Sequence, residues 1–144
     1  MVATFDRNGI SFQYPKNWQL SDDSRQSKDC CVTLQSPNSG FWMLQAFRTD
    51  ETPEQLADAV LEELRLEYDT IEATSVSVPI QNIDTIGYNV QFYCLDFVVN
   101  AEVRGFSVGD KACVILCQAE DREFEEVGPV FLAMTTSLVN RLAG

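Results

Sequence analysis

The sequence predicts an α+β fold in which a largely antiparallel β-sheet is packed by helices. Tight-turn signals separate short strand patterns, one strongly amphipathic helix pattern follows residue 52, and a second helical pattern ends the chain. Sheets and helices that form separate runs are typical of this class. A length of 144 residues is close to the commonest domain size, so we expect one domain over residues 1–144.

The first predicted element is a β-hairpin centred on Asn8-Gly9. Both residues tolerate a positive φ, which a two-residue type I′ turn requires. The pattern predicts strands over Thr4–Arg7 and Ile10–Tyr14, and Pro15 ends the second strand because it has no N–H for the ladder. Residues 21–29 are polar and predict a loop.

Six further strands are predicted, in two groups. The first two run over Val32–Ser36 and Phe41–Arg48, with a Pro-Asn-Ser-Gly turn between them. The other four run over Ile71–Val78, Thr85–Leu95, Val98–Val108 and Lys111–Ala119. Gly109-Asp110 fits a tight turn before the last strand. That strand is apolar on both faces, which predicts a central position covered on both sides.

The best helix pattern begins after Thr52. Thr52 suits the N-cap, Pro53 suits the first helical position, and Gln55 lies where a capping box needs it. The inward side chains predicted from 100° per residue are those of Leu56, Ala57, Val60, Leu61, Leu64 and Tyr68. The opposite, mostly acidic face carries Glu54, Asp58, Glu62, Arg65 and Asp69.

A final helix is predicted to run to about Leu142. Pro129 fits its first turn, which leaves residues 123–128 as an irregular or separate turn. The spacing of Phe131, Met134 and Leu138, together with Leu142, places these side chains inward.

The charge distribution excludes several classes of partner. The chain carries a formal charge of −12, with a net of +1 over residues 1–48 and −13 over residues 49–144. Nucleic-acid binding needs clustered Lys and Arg, and anionic membrane surfaces repel an acidic chain. A charge-selected partner would be basic, although acidity also serves solubility alone. No signal peptide or apolar span is visible, which predicts a cytoplasmic protein.

No catalytic constellation is visible, so we expect a protein that is not an enzyme. Residues 105–109, GFSVG, match the G-x-S-x-G pattern of serine hydrolases, but they enter a predicted hairpin rather than a strand-to-helix turn. The chain also contains no histidine to take a proton from Ser107. No glycine-rich nucleotide loop is present, and nothing places two carboxylates in a cleft.

Five cysteines are present, and we interpret them as reduced thiols rather than a metal or disulfide framework. Cys113 and Cys117 lie four residues apart and share one face of a strand. Cys94 could lie on a nearby strand, and a loop could bring Cys30 and Cys31 over the sheet. Buried thiols that act as small hydrophobes are the simpler interpretation, so no metal and no cofactor is predicted.

The order of elements and three segments resemble the PsbP/Mog-like fold. The stretch from Gly9 to Trp18, GISFQYPKNW, resembles the corner of those families. The helix segment TPEQLADAVLEEL and the ending VILCQAEDREFEEVGPVFLAMTTSLVNRL are similar to theirs. The resemblance implies an α/β/α sandwich and makes the corner structural, with Trp18 in the core. Trp42 lies in an apolar strand and is also expected to be buried.

Members of this fold include PsbP, the Mog-type Ran-binding proteins, DcrB-like proteins and type VI effector chaperones, and most bind proteins. The resemblance therefore implies an adaptor, chaperone or accessory subunit that uses an acidic face or an apolar groove. The candidate partner-binding residues are Glu54, Asp58, Glu62 and Asp69, and the partner would be basic or carry an apolar helix. The alternative is a small-ligand or enzymatic domain with a carboxylate- or cysteine-containing pocket. The oligomeric state stays open.

Overall fold

A seven-stranded antiparallel sheet separates two layers in the computed structural model, which describes residues 1–23 and 30–143. One helix covers one face, and the second helix and a two-stranded hairpin cover the other. The strands are β1 Val2–Arg7, β2 Ile10–Pro15, β3 Gln19–Asp22, β4 Cys30–Gln35, β5 Phe41–Phe47, β6 Ile71–Ile80, β7 Ile83–Cys94, β8 Phe97–Val108 and β9 Lys111–Glu120. The helices are α1 Pro53–Glu67 and α2 Asp121–Ala143. The predicted α+β class and antiparallel sheet are confirmed.

Strand β9 lies in the middle of the sheet, whose order is β3-β4-β5-β9-β8-β7-β6. Its side chains from Ala112 to Cys117 are all buried, because α1 covers one face and α2 with the hairpin covers the other. The prediction of a central strand covered on both sides is therefore confirmed.

The N-terminal hairpin forms its own two-stranded sheet and packs beside α2. Asn8 and Gly9 have φ values of 54° and 81°, the signs that a type I′ turn requires. The β2 backbone N–H of Gln13 donates to Ser137 Oγ of α2 at 2.9 Å. The corner that follows β2 is structural, because Trp18 is buried edge-on against Phe131.

The predicted loop over residues 21–29 is wrong at its start. Ser21 and Asp22 belong to β3, which pairs antiparallel with β4. All four residues of β3 are exposed, so this edge strand lacks the apolar alternation from which a strand is predicted. Residues 24–29 lie outside the described part of the chain.

The cap of α1 is confirmed in detail. Gln55 N–H donates to Thr52 Oγ1, and Thr52 N–H donates to the Gln55 side chain, which completes the capping box. Five of the six predicted inward side chains are buried, and the sixth, Tyr68, is half-buried at the C-cap. Tyr68 stacks on Phe92 of β7 with ring centroids 4.1 Å apart, so the end of α1 is anchored to the sheet.

The start of α2 differs from the prediction. The helix begins at Asp121, and Pro129 lies inside it rather than in its first turn. A proline there removes one backbone hydrogen bond, but the first turns are held in other ways. Glu120 Oε2 accepts from Arg122 N–H, and Phe124 packs edge-on against Phe131. The predicted inward residues are confirmed: Phe131, Met134 and Leu138 are buried, and Leu142 is half-buried.

The hydrolase-like motif of residues 105–109 has a structural explanation. Ser107 lies in β8 and pairs with Ala112 of β9, so no strand-to-helix turn exists here. Gly109 has a φ of 61° in the following turn. At Gly105, a Cβ would stand 2.5 Å from the carbonyl oxygen of Pro53, because the start of α1 lies directly on this strand.

Replacing Gly105 by alanine should therefore push α1 away from the sheet. We expect G105A to lower the free energy of unfolding by about 1–3 kcal/mol, the usual cost of overpacking, in urea denaturation. The control is S107A, which changes an exposed side chain of the same strand and should stay within about 0.5 kcal/mol of the wild type. Equal stability of the two variants would contradict this account of Gly105.

Candidate protein-binding groove

An open groove of about 640 Å³ lies at one end of the sheet. It forms where the β7–β8 turn, the end of β9 and the start of α2 come together, with the β4–β5 turn as a further wall. Its volume is within the range of binding clefts in proteins. The side chains that define its character are Tyr68, Leu95, Phe97, Glu120, Arg122 and Glu126.

The apolar wall of the groove is the β7–β8 turn. Leu95 is 89% exposed and Phe97 is 59% exposed, and the neighbouring Tyr93 is 61% exposed. Tyr93 lies on the other face of the sheet from Phe97, because Phe97 pairs with Cys94. Single exposed hydrophobic residues are ordinary, but Leu95 and Phe97 lie together on one wall of the groove and form an apolar patch there. Such a patch beside a groove is typical of an interaction site.

Leu95 also has an unfavourable backbone. Cys94 pairs with Phe97, so Leu95 and Asp96 are the two central residues of a tight turn. Leu95 has a φ of 57°, where glycine or asparagine is normally found. A side chain with a Cβ costs about 1–2 kcal/mol in this left-handed region. A strained residue that buries nothing in the fold suggests a role outside it.

The opposite rim of the groove is acidic. Glu120, Glu123 and Glu126 line it, together with one cation, Arg122. Asp96 adds an exposed carboxylate from the β7–β8 turn. The groove therefore combines an apolar wall with a surplus of negative charge, which complements a ligand that is apolar and basic.

Glu123 holds the groove wall in place. Its carboxylate accepts hydrogen bonds from Ser36 Oγ and Ser39 N–H, each at 2.6 Å, and from Ser39 Oγ. The two serines flank the β4–β5 turn, so this carboxylate joins α2 to that turn. Burial alone would raise the pKa of Glu123, but the hydrogen bonds from Ser36, Ser39 and the Gly40 backbone outweigh it and lower the pKa below its ordinary value of 4.5.

The predicted acidic residues of α1 are exposed, and they lie on a different surface from the groove. Glu54, Asp58 and Glu62 follow one side of the helix, and Asp69 lies just beyond its end. The Tyr88 hydroxyl donates to Asp58, so this carboxylate helps to hold α1 on the sheet. A role of this face in partner binding stays a prediction.

The cysteines occupy different parts of the fold: Cys30, Cys113 and Cys117 belong to the buried layer beneath α2, with Cys30 and Cys113 on either side of Ala46, and Cys31 is half-buried on β4. Cys113 and Cys117 share the α2-facing side of β9, whereas Cys94 is exposed on the groove side of β7. Burial raises the pKa of the Cys113 thiol to about 12 and raises that of Cys117 as well, so both stay protonated. Over residues 1–23 and 30–143, no cluster of three metal-ligating side chains occurs.

A second cavity, of about 360 Å³, lies between α2 and the sheet. Its charged groups are the Arg104 guanidinium and the Glu102 carboxylate, 3.4 Å apart, and the Thr135 hydroxyl in its wall is hydrogen-bonded to Trp42 and Phe131. Arg104 also donates to the carbonyl oxygens of Tyr88 and Val103 and to Asn89 Oδ1. Since these donors are engaged within the protein, the surface that the cavity offers to a ligand is mainly apolar.

Comparisons with known proteins identify the fold. No protein-family model and no curated protein matches this sequence. The solution structure of the cyanobacterial PsbP (CyanoP) from Synechocystis superimposes with a TM-score of 0.67 at 12% identity, over 94% of this chain and 90% of that one. This chain has a PsbP-like fold. The fold predicted from the resemblance is therefore confirmed.

Two other solved structures share the PsbP-like arrangement. LpqN, involved in cell envelope biogenesis of Mycobacterium tuberculosis, superimposes with a TM-score of 0.55 at 11% identity, over 90% of this chain and 80% of its own. A protein from Bacteroides thetaiotaomicron gives a TM-score of 0.60 at 15% identity over 93% of this chain. The match spans only 46% of the Bacteroides chain. Neither described helix of this PsbP-like chain is long and apolar enough to cross a membrane.

The apolar wall was not predicted from the sequence, although a signal for it exists. Leu95 was placed at the end of a strand that ends at Cys94. The segment Cys94–Phe97 has no glycine or asparagine, so the pattern ends the strand one residue too late and gives no sign of the positive φ at Leu95. The adjacent pair Leu95-Asp96 between two long amphipathic strands is the clue, because a hairpin needs its turn there.

Replacing Glu123 tests the groove wall. E123Q should lower the free energy of unfolding by about 1 kcal/mol at neutral pH, since three hydrogen bonds lose their charged acceptor. A carboxyl whose pKa is lower in the folded state stabilises above its unfolded pKa, and this stabilisation disappears as the pH falls through the folded pKa. The difference between wild type and E123Q should therefore shrink below pH 4.5.

The matched control for Glu123 is Glu125→Gln, an exposed carboxylate of the same helix. Urea denaturation across the acidic pH range measures all three proteins. E125Q should follow the wild type at each pH. A pH-independent difference between wild type and E123Q would contradict the assignment of the hydrogen bonds to an ionised Glu123.

Replacing Leu95 tests the strain in the turn. L95N should raise the free energy of unfolding by about 1 kcal/mol, because asparagine tolerates a positive φ better than leucine. L66N is the control, since Leu66 is also 89% exposed but lies in α1. Asparagine is the poorer helix former, so this variant should lose stability. A loss of stability in L95N would contradict the strained conformation of Leu95.

Proposed function

We propose that this chain is a non-catalytic protein-binding module that holds an apolar and basic segment of its partner in the groove. Leu95 carries the proposal, because it is exposed, strained and beside an acidic groove. Natural proteins lose stability at positions that function requires. An exposed leucine that lowers the stability of the fold is what we expect of a residue that anchors a binding partner.

The chemistry of the groove supports a protein partner. Leu95 and Phe97 offer apolar area to an aliphatic or aromatic side chain, and Glu120 and Glu126 offer carboxylates to a lysine or arginine nearby. Apolar anchors surrounded by charged groups are the usual arrangement of a binding hot spot. The groove has no histidine that could serve as a general base for Ser39 or Cys94 in its wall, which favours binding over catalysis.

The fold likeness is compatible with an accessory role. LpqN is involved in cell envelope biogenesis, and CyanoP is a PsbP protein. Folds do not determine function, so these neighbours support the class of role and not a particular partner. An adaptor, chaperone or accessory subunit, located in the cytoplasm as the sequence predicts, remains our proposal.

Two other surfaces provide competing candidates. The exposed acids of α1, with Glu54 and Glu62 at its outer side, would attract a basic partner without an apolar anchor. The cavity beside Arg104 would favour a small apolar ligand over a protein. We place the groove first because, of these three surfaces, it alone combines apolar exposure, backbone strain and negative charge.

Capture from a lysate of the native organism tests the proposal. The tagged wild type should retain a protein that L95N no longer retains, whereas L66N should retain it fully. High salt should weaken this capture, because the screening length falls from about 8 Å at physiological ionic strength to about 3 Å at 1 M salt. If L95N captured the protein as well as the wild type does, the assignment of partner binding to the groove would be contradicted.

A second pair of variants separates the groove from the acidic face. E54K/E62K reverses two exposed charges of α1 and leaves Asp58, with its bond to Tyr88, intact. If the groove is the site, this variant should capture the same protein as the wild type. Loss of capture in E54K/E62K but not in L95N would assign binding to the α1 face instead.

A further inference from the structure

The two edges of the seven-stranded sheet differ in how they are protected. At one edge, β3 is only four residues long, and its Asp22 accepts a hydrogen bond from Arg7 of the hairpin at 2.6 Å. At the other edge, β6 is ten residues long and pairs, within the described chain, with β7 alone. Natural sheets usually shorten, charge or cover their edge strands.

Strand β6 has few of these protective features. Its sequence IEATSVSVPI contains one charged residue, Glu72, and its single proline, Pro79, lies next to its end. Residues 73–78 are neutral, and none is a proline. Because β6 pairs with β7 alone in the described chain, the N–H and C=O groups on its outer side face away from the sheet, and no charge or proline within residues 73–78 keeps another extended strand from pairing with them.

The side chains of β6 favour such an addition on both faces. Ile71 and Ala73 are half-buried against the α1 layer, and Val78 is half-buried against the α2 layer. Both apolar layers thus continue to the edge and stop there. A further strand beside β6 would bury these side chains more completely, which supplies hydrophobic stabilisation in addition to backbone hydrogen bonds.

We propose that the strand that pairs with β6 is β6 of a second copy, in an antiparallel, two-fold symmetric dimer. A two-fold axis perpendicular to the sheet keeps each face continuous, and it passes through the middle of β6 at Thr74 or Ser75. Glu72 then lies opposite Val76 in the first register and opposite Val78 in the second. Neither register places like charges opposite each other, so the edge is self-complementary.

The charge of the protein sets the salt dependence of this dimer. Each copy carries a formal charge of −12, so two copies repel at long range. Added salt screens this repulsion, and the dimer should become tighter as ionic strength rises. Capture of a basic partner by the groove should respond to salt in the opposite direction. The proposed dimer does not depend on the proposed function of the groove, so an experiment that contradicts one of the two proposals does not contradict the other.

Sedimentation analysis of the full chain tests the proposal. At high salt, and across micromolar to submillimolar concentrations, the wild type should shift from 16.2 kDa towards twice that mass. T74K/S75K places lysines opposite each other in either register and should raise the dissociation constant by at least about tenfold. A59K/L66K makes the same charge change on the exposed side of α1 and should dimerise like the wild type.

Hydrogen exchange of the wild type provides a second measurement that needs no variant. Backbone amides of residues 71–78 should exchange more slowly at high than at low protein concentration, and those of β3 should not change. A wild type that stays monomeric over this range at high salt overturns the proposal. So does a dimer that T74K/S75K leaves unchanged, or one without concentration-dependent protection of β6.

Discussion

The burial of β9 on both faces is the constraint on which the rest of the structure depends. A strand in this position needs an apolar layer above and below it, and the two layers come from α1 and from α2 with the hairpin. The chain leaves β9 at Glu120 and enters α2 at once, so the end of the central strand and the start of α2 are fixed together. The groove lies at this junction, so its acidic rim is positioned by the end of the central strand and the start of α2.

Two contacts at the starts of the helices position the helices against the sheet. Gly105 lets the first turn of α1 lie against β8, and Glu123 ties the start of α2 to the β4–β5 turn. The first contact depends on the absence of a side chain at Gly105, and the second depends on the carboxylate of Glu123. Each lies at the start of a helix. Both ends are held by local polar groups, because the helix termini leave backbone groups that need partners.

Sequence reasoning succeeded where a local signal and the fold agree. Asn8-Gly9, the Thr52 capping box and the apolar β9 each specify their own conformation, so no knowledge of distant residues was needed. It failed where tertiary contacts override local preference. Pro129 is typical of a helix start, yet α2 begins eight residues earlier, because Glu123 accepts a hydrogen bond from Ser36 of the β4–β5 turn and Phe124 packs against the core beside Phe131.

The candidate site was missed for a related reason. The acids of α1 are visible because they repeat along a helix. Leu95, in contrast, ends one predicted strand and Phe97 lies in the short gap before the next, and no pattern there marks either side chain as exposed. Their exposure follows from where the hairpin ends relative to α1 and α2, which no local pattern encodes. The positive φ of Leu95 is likewise a property of the finished turn.

The two proposed surfaces use different physical devices, which is why one small fold can carry both. At the groove, side chains supply the interaction: an apolar wall and carboxylates that α2 holds in place. At β6, the backbone supplies it, and the side chains need only be neutral and fit both layers. Strand β7 ends at the groove wall, and it pairs with every residue of β6. A dimer through β6 would therefore place two grooves on one continuous sheet, and a partner with two basic segments would gain from binding both.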